Sequence, residues 1–597
     1  MNFKNWLKKL SVKRFQHSEP LKRLLAYFKP YRWTLVFGIA CLLLANLFKL
    51  GMPYVLRYAV DNLTREVTYA KLLHYCGLLL LIALGQAVLL FFQRRKLIGV
   101  AREVEYHLRN DFYAHLQKMP LQFYQQCRTG DLMSRATADL ASVRMLTGPG
   151  LISSLNAVFA TLFILPIMLA INWKLTLLAL LPTPLLIITT QYFARRIHEK
   201  SLRVQEHYGV LANAAQEAIA GIRVTRAYSQ ERAGLESFGG VNREYVTRSM
   251  ALIKLGVILA PLLQLFIGFG FVIIFWYGSR QIINQTLTIG QFLQLTLYLG
   301  FLWGPMIAVG GIIGQYQRSM ASMGRVHAIL SLVSPIRDSD QTRDAKDISG
   351  EIEFRNLTFT YRGAARPALT NINMRIAPGQ TVAFVGVTGS GKSSLINLVP
   401  RLYDAAPGEV LIDGQPIREI PLEVLRSGIG YVPQETLLFS ETIAENIAFG
   451  AENASAEEIR RAAEEAGIAE DIEDFPQGYE TVVGERGVTL SGGQKQRTAI
   501  ARALVRQPHI LILDDALSAV DTHTEEKILK NLRQTMQDRT SLIVSHRVST
   551  IKHADLIVVL EDGRIVERGT HRELLVHGGI YAALNERQLL EAELATC

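Results

Sequence analysis

Long apolar runs separated by polar stretches fill the first half of the chain, and short β-branched runs replace them in the second. Six stretches meet the requirement of about 20 apolar residues for a bilayer crossing: roughly 33–56, 72–93, 149–171, 174–194, 252–278 and 291–313. Leu175–Ile188 is nearly free of polar groups apart from Thr176 and Thr183. Residues 94–125 keep a helical apolar period, with no Gly or Pro between Gly99 and Pro120, so the second membrane helix is expected to continue well beyond the bilayer. The same applies to 194–220, and Thr129–Arg135 and Ala220–Arg223 read as breaks. Around 331–350 the hydrophobicity drops, and Ser334–Gln341 reads as an exposed linker. Beyond it Ile352 and Phe354 alternate with polar residues, Thr381–Val385 and Ile510–Leu513 read as buried strands, and Ser394–Val399 reads as a helix. The expected fold class is an α-helical six-span membrane domain with long cytoplasmic helical extensions (1–335), a linker (336–350) and an α/β domain (351–597).

Charge sets the orientation. The chain has 597 residues and a net charge of +11. That excess could suggest a nucleic-acid partner, but much of it flanks hydrophobic segments, as in Arg94-Arg95-Lys96 and Arg195-Arg196. Positive charge there fits the cytoplasmic-side rule, so no nucleic acid is expected. The tail (Lys4, Lys8, Lys9, Lys13, Arg14) and the segments 94–148 and 195–251 are rich in Lys and Arg and face the cytoplasm. The short connections at 57–71, 172–173 and 279–290 face out. An even number of crossings returns the second half to the cytoplasm, which gives a multi-pass protein of the cytoplasmic membrane. No short apolar core with a small-residue cleavage site follows the tail, which reads as retained.

The four cysteines, Cys41, Cys76, Cys127 and Cys597, have neither metal nor redox spacing. Polar residues within the spans are few. Asn46, Lys49, Gln86, Asn156, Gln264 and Gln294 are candidates for lining a cavity, with structural packing the commoner role of such residues and snorkelling the alternative for Lys49. Pro53, Pro166, Pro182, Pro184, Pro261 and Pro305 are expected to mark bends. No carboxylate lies deep in the spans, which argues against recognition of a cation by charge pairing.

The chemistry lies in Gly386-Val387-Thr388-Gly389-Ser390-Gly391-Lys392-Ser393, which matches G-x-x-x-x-G-K-[ST] between a strand and a helix. Glycines let backbone N–H groups turn inward around a polyphosphate, and the following helix presents its N-terminus to the anion. Lys392 can reach the outer phosphates, and the Ser393 hydroxyl can join a Mg²⁺ shell. Ile510–Asp515 is a buried strand ending in carboxylates, as a Mg²⁺ site opposite such a loop needs. Between the two lies Leu490-Ser491-Gly492-Gly493-Gln494-Lys495-Gln496-Arg497.

In this order and spacing the region 351–597 resembles the nucleotide-binding domain of ABC ATPases, and the whole chain resembles an ABC exporter half-transporter. The resemblance implies that ATP is held by Gly386, Gly389, Ser390, Gly391, Lys392, Ser393 and Ser394, with Tyr361 stacked on adenine. It implies Ser393, Asp514 and Gln434 as Mg²⁺ ligands or sensors, and Asp515, His546 and Gln434 around the attacking water. Ser491, Gly492, Gly493 and Gln494 would close over ATP bound to a second, facing subunit, and Ser518–Asp521 resembles the loop that ends at Asp521 in the same interface. Gly484–Gly487 and two short coupling helices, near 126–137 and 222–232, would join the halves. One position departs from the family pattern: the residue after the Mg²⁺ aspartate is usually glutamate and here is Asp515. That resembles the degenerate-site subunit of heterodimeric multidrug-type exporters, whose partner supplies the glutamate. The cargo implied is an amphiphile, drug-like or lipid. The alternatives are a homodimeric lipid or peptide exporter hydrolysing slowly at Asp515, and a nucleotide-gated channel or regulatory membrane ATPase.

Overall fold

The structure is a computed structural model that describes residues 18–64, 68–339, 342–343, 347–484, 487, 490–517, 528, 530 and 536–596. The basic residues before position 18, Glu485-Arg486 and Ser518–Asp521 lie outside the described residues. The chain divides into two compact units. One is made of the described residues up to Gln117 together with Thr129–Leu332. The other is made of Lys118–Arg128 together with the described residues from Val333 onward.

The first unit is built of long helices: Arg32–Leu63, Tyr69–Gln117, Thr129–Ala179, Thr183–Ala220, Glu231–Ile283 and Ile289–Leu330. Their apolar residues are turned outward to a degree no water-soluble bundle tolerates; Leu80, Leu81 and Leu84 are 62%, 64% and 59% exposed. Helices satisfy their own backbone polar groups, so this is the arrangement a hydrocarbon solvent selects. All but Thr183–Ala220 contain an uninterrupted stretch apolar enough to cross a membrane. The fourth crossing is interrupted instead. Asn172 leaves helical geometry (φ −159°, ψ 100°), and its Oδ1 accepts from the Leu175 N–H at 2.9 Å, capping the segment that follows. That segment stops at Ala179, and the helix resumes at Thr183, with Pro184 in its first turn.

Several breaks differ from the sequence expectation. The second helix ends at Gln117, before Pro120, and Leu121–Gln126 forms a separate short helix. The Thr129–Arg135 stretch does not break the pattern; it is helical from Thr129, with Asp131 in the first turn, where the helix dipole favours a carboxylate, and with Arg135 paired to Asp131 at 2.6 Å. The short helix preceding it therefore lies at 121–126, not at 126–137. Ile222–Ala227 does fall where the second short helix was expected. Of the prolines, Pro53, Pro166, Pro261 and Pro305 sit inside the long helices, as does Pro149, within one of three π-helical turns among the described residues that nothing in the residue pattern announces. In the expected linker Pro335, Arg337, Asp338 and Ser339 are exposed, while Ser334 and Ile336 are buried.

Two polar clusters pin the helices. At one end Asp61 accepts from the Thr288 hydroxyl and the Gly290 N–H, both at 2.8 Å. In the extension of the second helix, Glu105 is 7% exposed and pairs with Arg144 and Arg109, each at 2.9 Å. Arg144 belongs to the third helix, so the pair ties two elements together. We expect Glu105→Ala to lower stability by about 2 kcal/mol, because it strands a largely buried guanidinium. Thermal unfolding in detergent measures this, and an unchanged midpoint would refute it.

In the second unit β1 (Ile352–Phe359), β2 (Leu369–Ile376), β4 (Val410–Ile412) and β5 (Gln415–Pro416) form an antiparallel sheet in the order β2-β1-β4-β5. A six-stranded sheet takes β3 (Thr381–Val385), β6 (Ile429–Val432), β7 (Ile510–Asp514), β8 (Thr540–Val544), β9 (Leu556–Glu561) and β10 (Arg564–Gly569) in the order β10-β9-β3-β8-β7-β6. Strands β9 through β6 are parallel, and β10 is an antiparallel edge. The continuous burial of β3, β7 and β8 follows from coverage on both faces.

Candidate nucleotide site

Parallel strands carry their C-terminal ends to one edge, where open α/β sheets bind ligands. β3, β8 and β7 are neighbours, so the loops after Val385, Val544 and Asp514 meet there. The sheet thus gathers residues from positions 386, 514–515 and 546, which are remote in sequence. Gln434 follows β6, beside β7 on the same edge, and is exposed.

The loop after β3 needs its glycines. Gly386 has φ +148°, and a Cβ there would lie 2.1 Å from the Leu560 carbonyl oxygen and 2.8 Å from Ser390 Oγ. Gly391 has φ +100° and would strike the Ala368 carbonyl at 2.7 Å. Backbone approaches of this kind tolerate no side chain. We expect Gly386→Ala to weaken ATP binding about 100-fold or more by displacing the loop by ~1 Å, measured with a fluorescent ATP analogue; binding within two-fold of wild type would refute this.

Lys392 opens the helix Lys392–Ile396 and is 6% exposed. Its ammonium donates to the carbonyls of Gly386 (2.9 Å) and Val387 (3.0 Å) and reaches Ser390 Oγ at 3.4 Å. Burial pushes its pKa down, while the carboxylates of Asp514 and Asp515 act the other way. Ser393 donates its hydroxyl to Asp514 Oδ1 at 3.1 Å. Burial pushes the Asp514 carboxyl up and Asp515 adds to this; the Ser393 hydroxyl, Lys392 and His546 oppose it. A hydroxyl beside a buried carboxylate is an oxygen pair suited to a small, hard dication, so the residues present fit Mg²⁺.

Asp515 stands at φ +50°, in the left-handed region, and its N–H donates to the Val544 carbonyl at 2.8 Å. The backbone at this position is therefore held to β8. His546 is exposed on the same edge, and its carbonyl accepts from Gln588 Nε2 at 2.5 Å. Tyr361 donates its hydroxyl to Ser394 Oγ at 2.9 Å and meets Tyr403 edge-on, ring centroids 5.1 Å apart. Tyr403 in turn accepts from Gln125 Nε2 at 2.8 Å. Gln125 lies on the short helix Leu121–Gln126, so this segment of the membrane half's sequence is hydrogen-bonded beside the nucleotide site.

Ser491 caps the helix Gly492–Leu504 through a capping box: its Oγ accepts from the Gln494 N–H at 3.3 Å, and Gln494 Oε1 accepts from the Ser491 N–H at 3.0 Å. Gln494 Nε2 donates to Asp471, and Arg497 pairs with the same carboxylate at 2.6 Å. Among the described residues, these side chains bond to Asp471, to the Gly467 carbonyl and to one another rather than to the phosphate loop. Asp521 lies outside the described residues. Tyr403, Asp471 and Gln588 carried no signal in the sequence: each acts through a contact with a residue at least 23 positions away.

Fold and site together define an ATP-dependent transporter with fused membrane and ATPase halves. Residues 35–306 match the ABC transporter transmembrane region and residues 369–518 the ABC transporter ATPase family model. The chain is 39% identical to a probable multidrug resistance ABC transporter ATP-binding/permease protein, YheI, of Bacillus subtilis (strain 168), over 96% of this chain and 98% of that one. It is 35% identical to an ATP-dependent lipid A-core flippase of Syntrophus aciditrophicus (strain SB), over 96% of each. A bacterial Atm1-family ABC exporter solved with ATP bound superposes with a TM-score of 0.76 at 29% identity, covering 93% of this chain and 98% of that one. The chain belongs to the ABC transporters, among the exporters that carry a membrane domain and an ATPase domain in one polypeptide.

Proposed function

We propose that the chain is one half of a dimeric exporter that uses ATP to move amphiphilic compounds, drug-like or lipid, outward across the cytoplasmic membrane, with its ATPase half in the cytoplasm. The observation that carries this is the division of the site. Lys392, Ser393, Asp514 and Asp515 converge on one sheet edge, while the Ser491 helix start is bonded to Asp471. A second ATPase domain, facing the first, would bring its own Ser491-like turn over the outer phosphate. The loop amides and Lys392 hold the phosphates, and Tyr361 presents a ring to the base. Mg²⁺, held by Ser393 and Asp514 with Gln434 nearby, would neutralise charge on the phosphates. Asp515 and His546 orient the attacking water. Closure of two such domains excludes water from both sites, and short helices such as Leu121–Gln126 pass the movement to the membrane helices.

The degenerate-site reading rests on Asp515. Aspartate is one methylene shorter than glutamate, so its carboxylate falls short by about 1.5 Å. The partner would then be a different chain carrying a glutamate there, completed by this chain's Ser491–Gly493. The presence of His546 favours the second reading, a homodimer in which Asp515 still works slowly. The names of the two relatives, one multidrug and one lipid, share an amphiphilic cargo. The test is ATP-dependent accumulation of a fluorescent amphiphile in inverted vesicles carrying this chain alone or with a candidate partner. Accumulation against a gradient is expected; equilibration without accumulation would indicate a channel and end the exporter reading.

A further inference from the structure

We infer that Lys49 makes the membrane unit select amphiphiles with an anionic headgroup, bound in a cavity walled by the first, second, third and sixth membrane helices. This rests on the exporter reading and adds the charge class of the cargo. The cavity holds about 370 Å³, enough for a headgroup and part of a tail. Its wall gathers four of the six polar residues singled out above as candidates for lining a cavity: Asn46, Lys49, Gln86 and Asn156. Asn46 donates to the Leu42 carbonyl at 2.9 Å and to Asn156 Oδ1 at 2.8 Å. That fixes the Asn156 amide with its oxygen engaged and its nitrogen left as a donor.

Lys49 is partly buried, about 25 Å along its helix from Arg32. Its ammonium lies 4.5 Å from the centroid of the Phe301 ring, a cation–π contact. No carboxylate lines the cavity, and among the described residues none pairs with Lys49. A cation in a membrane-embedded wall without a counter-charge is costly, and an aromatic face offsets only part of that cost. An oxyanion on the cargo would supply the rest, with the Gln86 and Asn156 amides as further donors, and the apolar remainder of the wall would take the tail. A cationic amphiphile would meet like charge and no acceptor carboxylate.

Phosphate and carboxylate headgroups share this chemistry, and a free anion shares the charge without the tail. The full-length protein in phosphatidylcholine nanodiscs is therefore tested for equilibrium binding of dodecyl phosphate, dodecyltrimethylammonium and inorganic phosphate, with empty nanodiscs subtracted. Dodecyl phosphate is expected to bind at least ~10-fold tighter than the other two, and Lys49→Gln to weaken it by about 10- to 100-fold, the loss of one charged hydrogen bond. Lys49→Arg should retain the preference and Lys49→Glu reverse it, so the charge dependence is readable even if one variant fails to fold. Equal binding of the two dodecyl compounds, or a preference that survives both Lys49→Gln and Lys49→Glu, would overturn the inference. Inorganic phosphate binding as tightly as dodecyl phosphate would also overturn it in favour of a free-anion site. Inverted vesicles separate the two levels: uphill transport with no charge preference defeats only the role of Lys49, whereas no ATP-driven transport of any of these amphiphiles defeats the exporter reading.

Discussion

Lys392→Ala is expected to cut ATP-driven turnover at this chain's own site at least 100-fold and to weaken ATP binding by a similar factor. Lys392 is 6% exposed, and its ammonium is positioned by the Gly386 and Val387 carbonyls. Burial disfavours its charge, and the nearby Asp514 and Asp515 carboxylates act the other way. Charged hydrogen bonds contribute about 1.5–3 kcal/mol each, and two to phosphate oxygens suffice for the predicted loss. Lys392→Arg should not rescue it, because the planar fork cannot occupy a pocket shaped for a compact ammonium. The measurement is ATP binding and phosphate release by the reconstituted protein, with assembly checked by size-exclusion chromatography. A normally assembled Lys392→Ala protein that binds and hydrolyses ATP as wild type does would remove the basis of the site.

Asp515→Glu is expected to raise hydrolysis at this chain's own site by about 10- to 100-fold, since a misplacement of ~1 Å in a reacting group can cost that much. The Val544 carbonyl holds the Asp515 N–H at 2.8 Å, so the backbone is not free to advance the shorter side chain. Length alone then decides reach. The gain is tempered because glutamate tolerates φ +50° less readily than aspartate, at a cost of order 1 kcal/mol. The decisive comparison is the purified chain alone against the chain with a partner. Slow hydrolysis alone, rescued either by the partner or by Asp515→Glu, fits the degenerate-site reading. Brisk hydrolysis by the chain alone that Asp515→Glu leaves unchanged would end it.

Much of the site was legible because its chemistry is local. The loop Gly386–Ser393 and the strand end at Asp514 are contiguous strings, and glycine, lysine and hydroxyl at fixed offsets admit few other uses. His546 and Gln434 acquired meaning only through family order, and the sheet supplies a physical reason for them: β3, β8, β7 and β6 are consecutive parallel neighbours with a common C-terminal edge. Tyr403 was not legible. Its importance comes from a hydroxyl that meets Gln125 and a ring that meets Tyr361, and residues 278 positions apart leave no periodic trace.

In the membrane half, hydropathy alone announced a bundle of membrane-crossing helices, because a lipid-facing helix has to be apolar along a fixed length, and five of the long helices carry such a stretch. The breaks did not. Thr129–Arg135 contains a glycine and several polar residues, yet it is helical because Asp131 suits the first turn and Arg135 pairs with it. By itself the sequence determined a chain that spans a membrane and carries a phosphate-binding loop, since both are properties of contiguous residues. Only the tertiary structure decided that Asn46, Lys49, Gln86 and Asn156 share one cavity, and that Gln494 is bonded to Asp471. Such placements depend on how separate helices pack against one another, and packing is a relation between distant residues that no single stretch encodes.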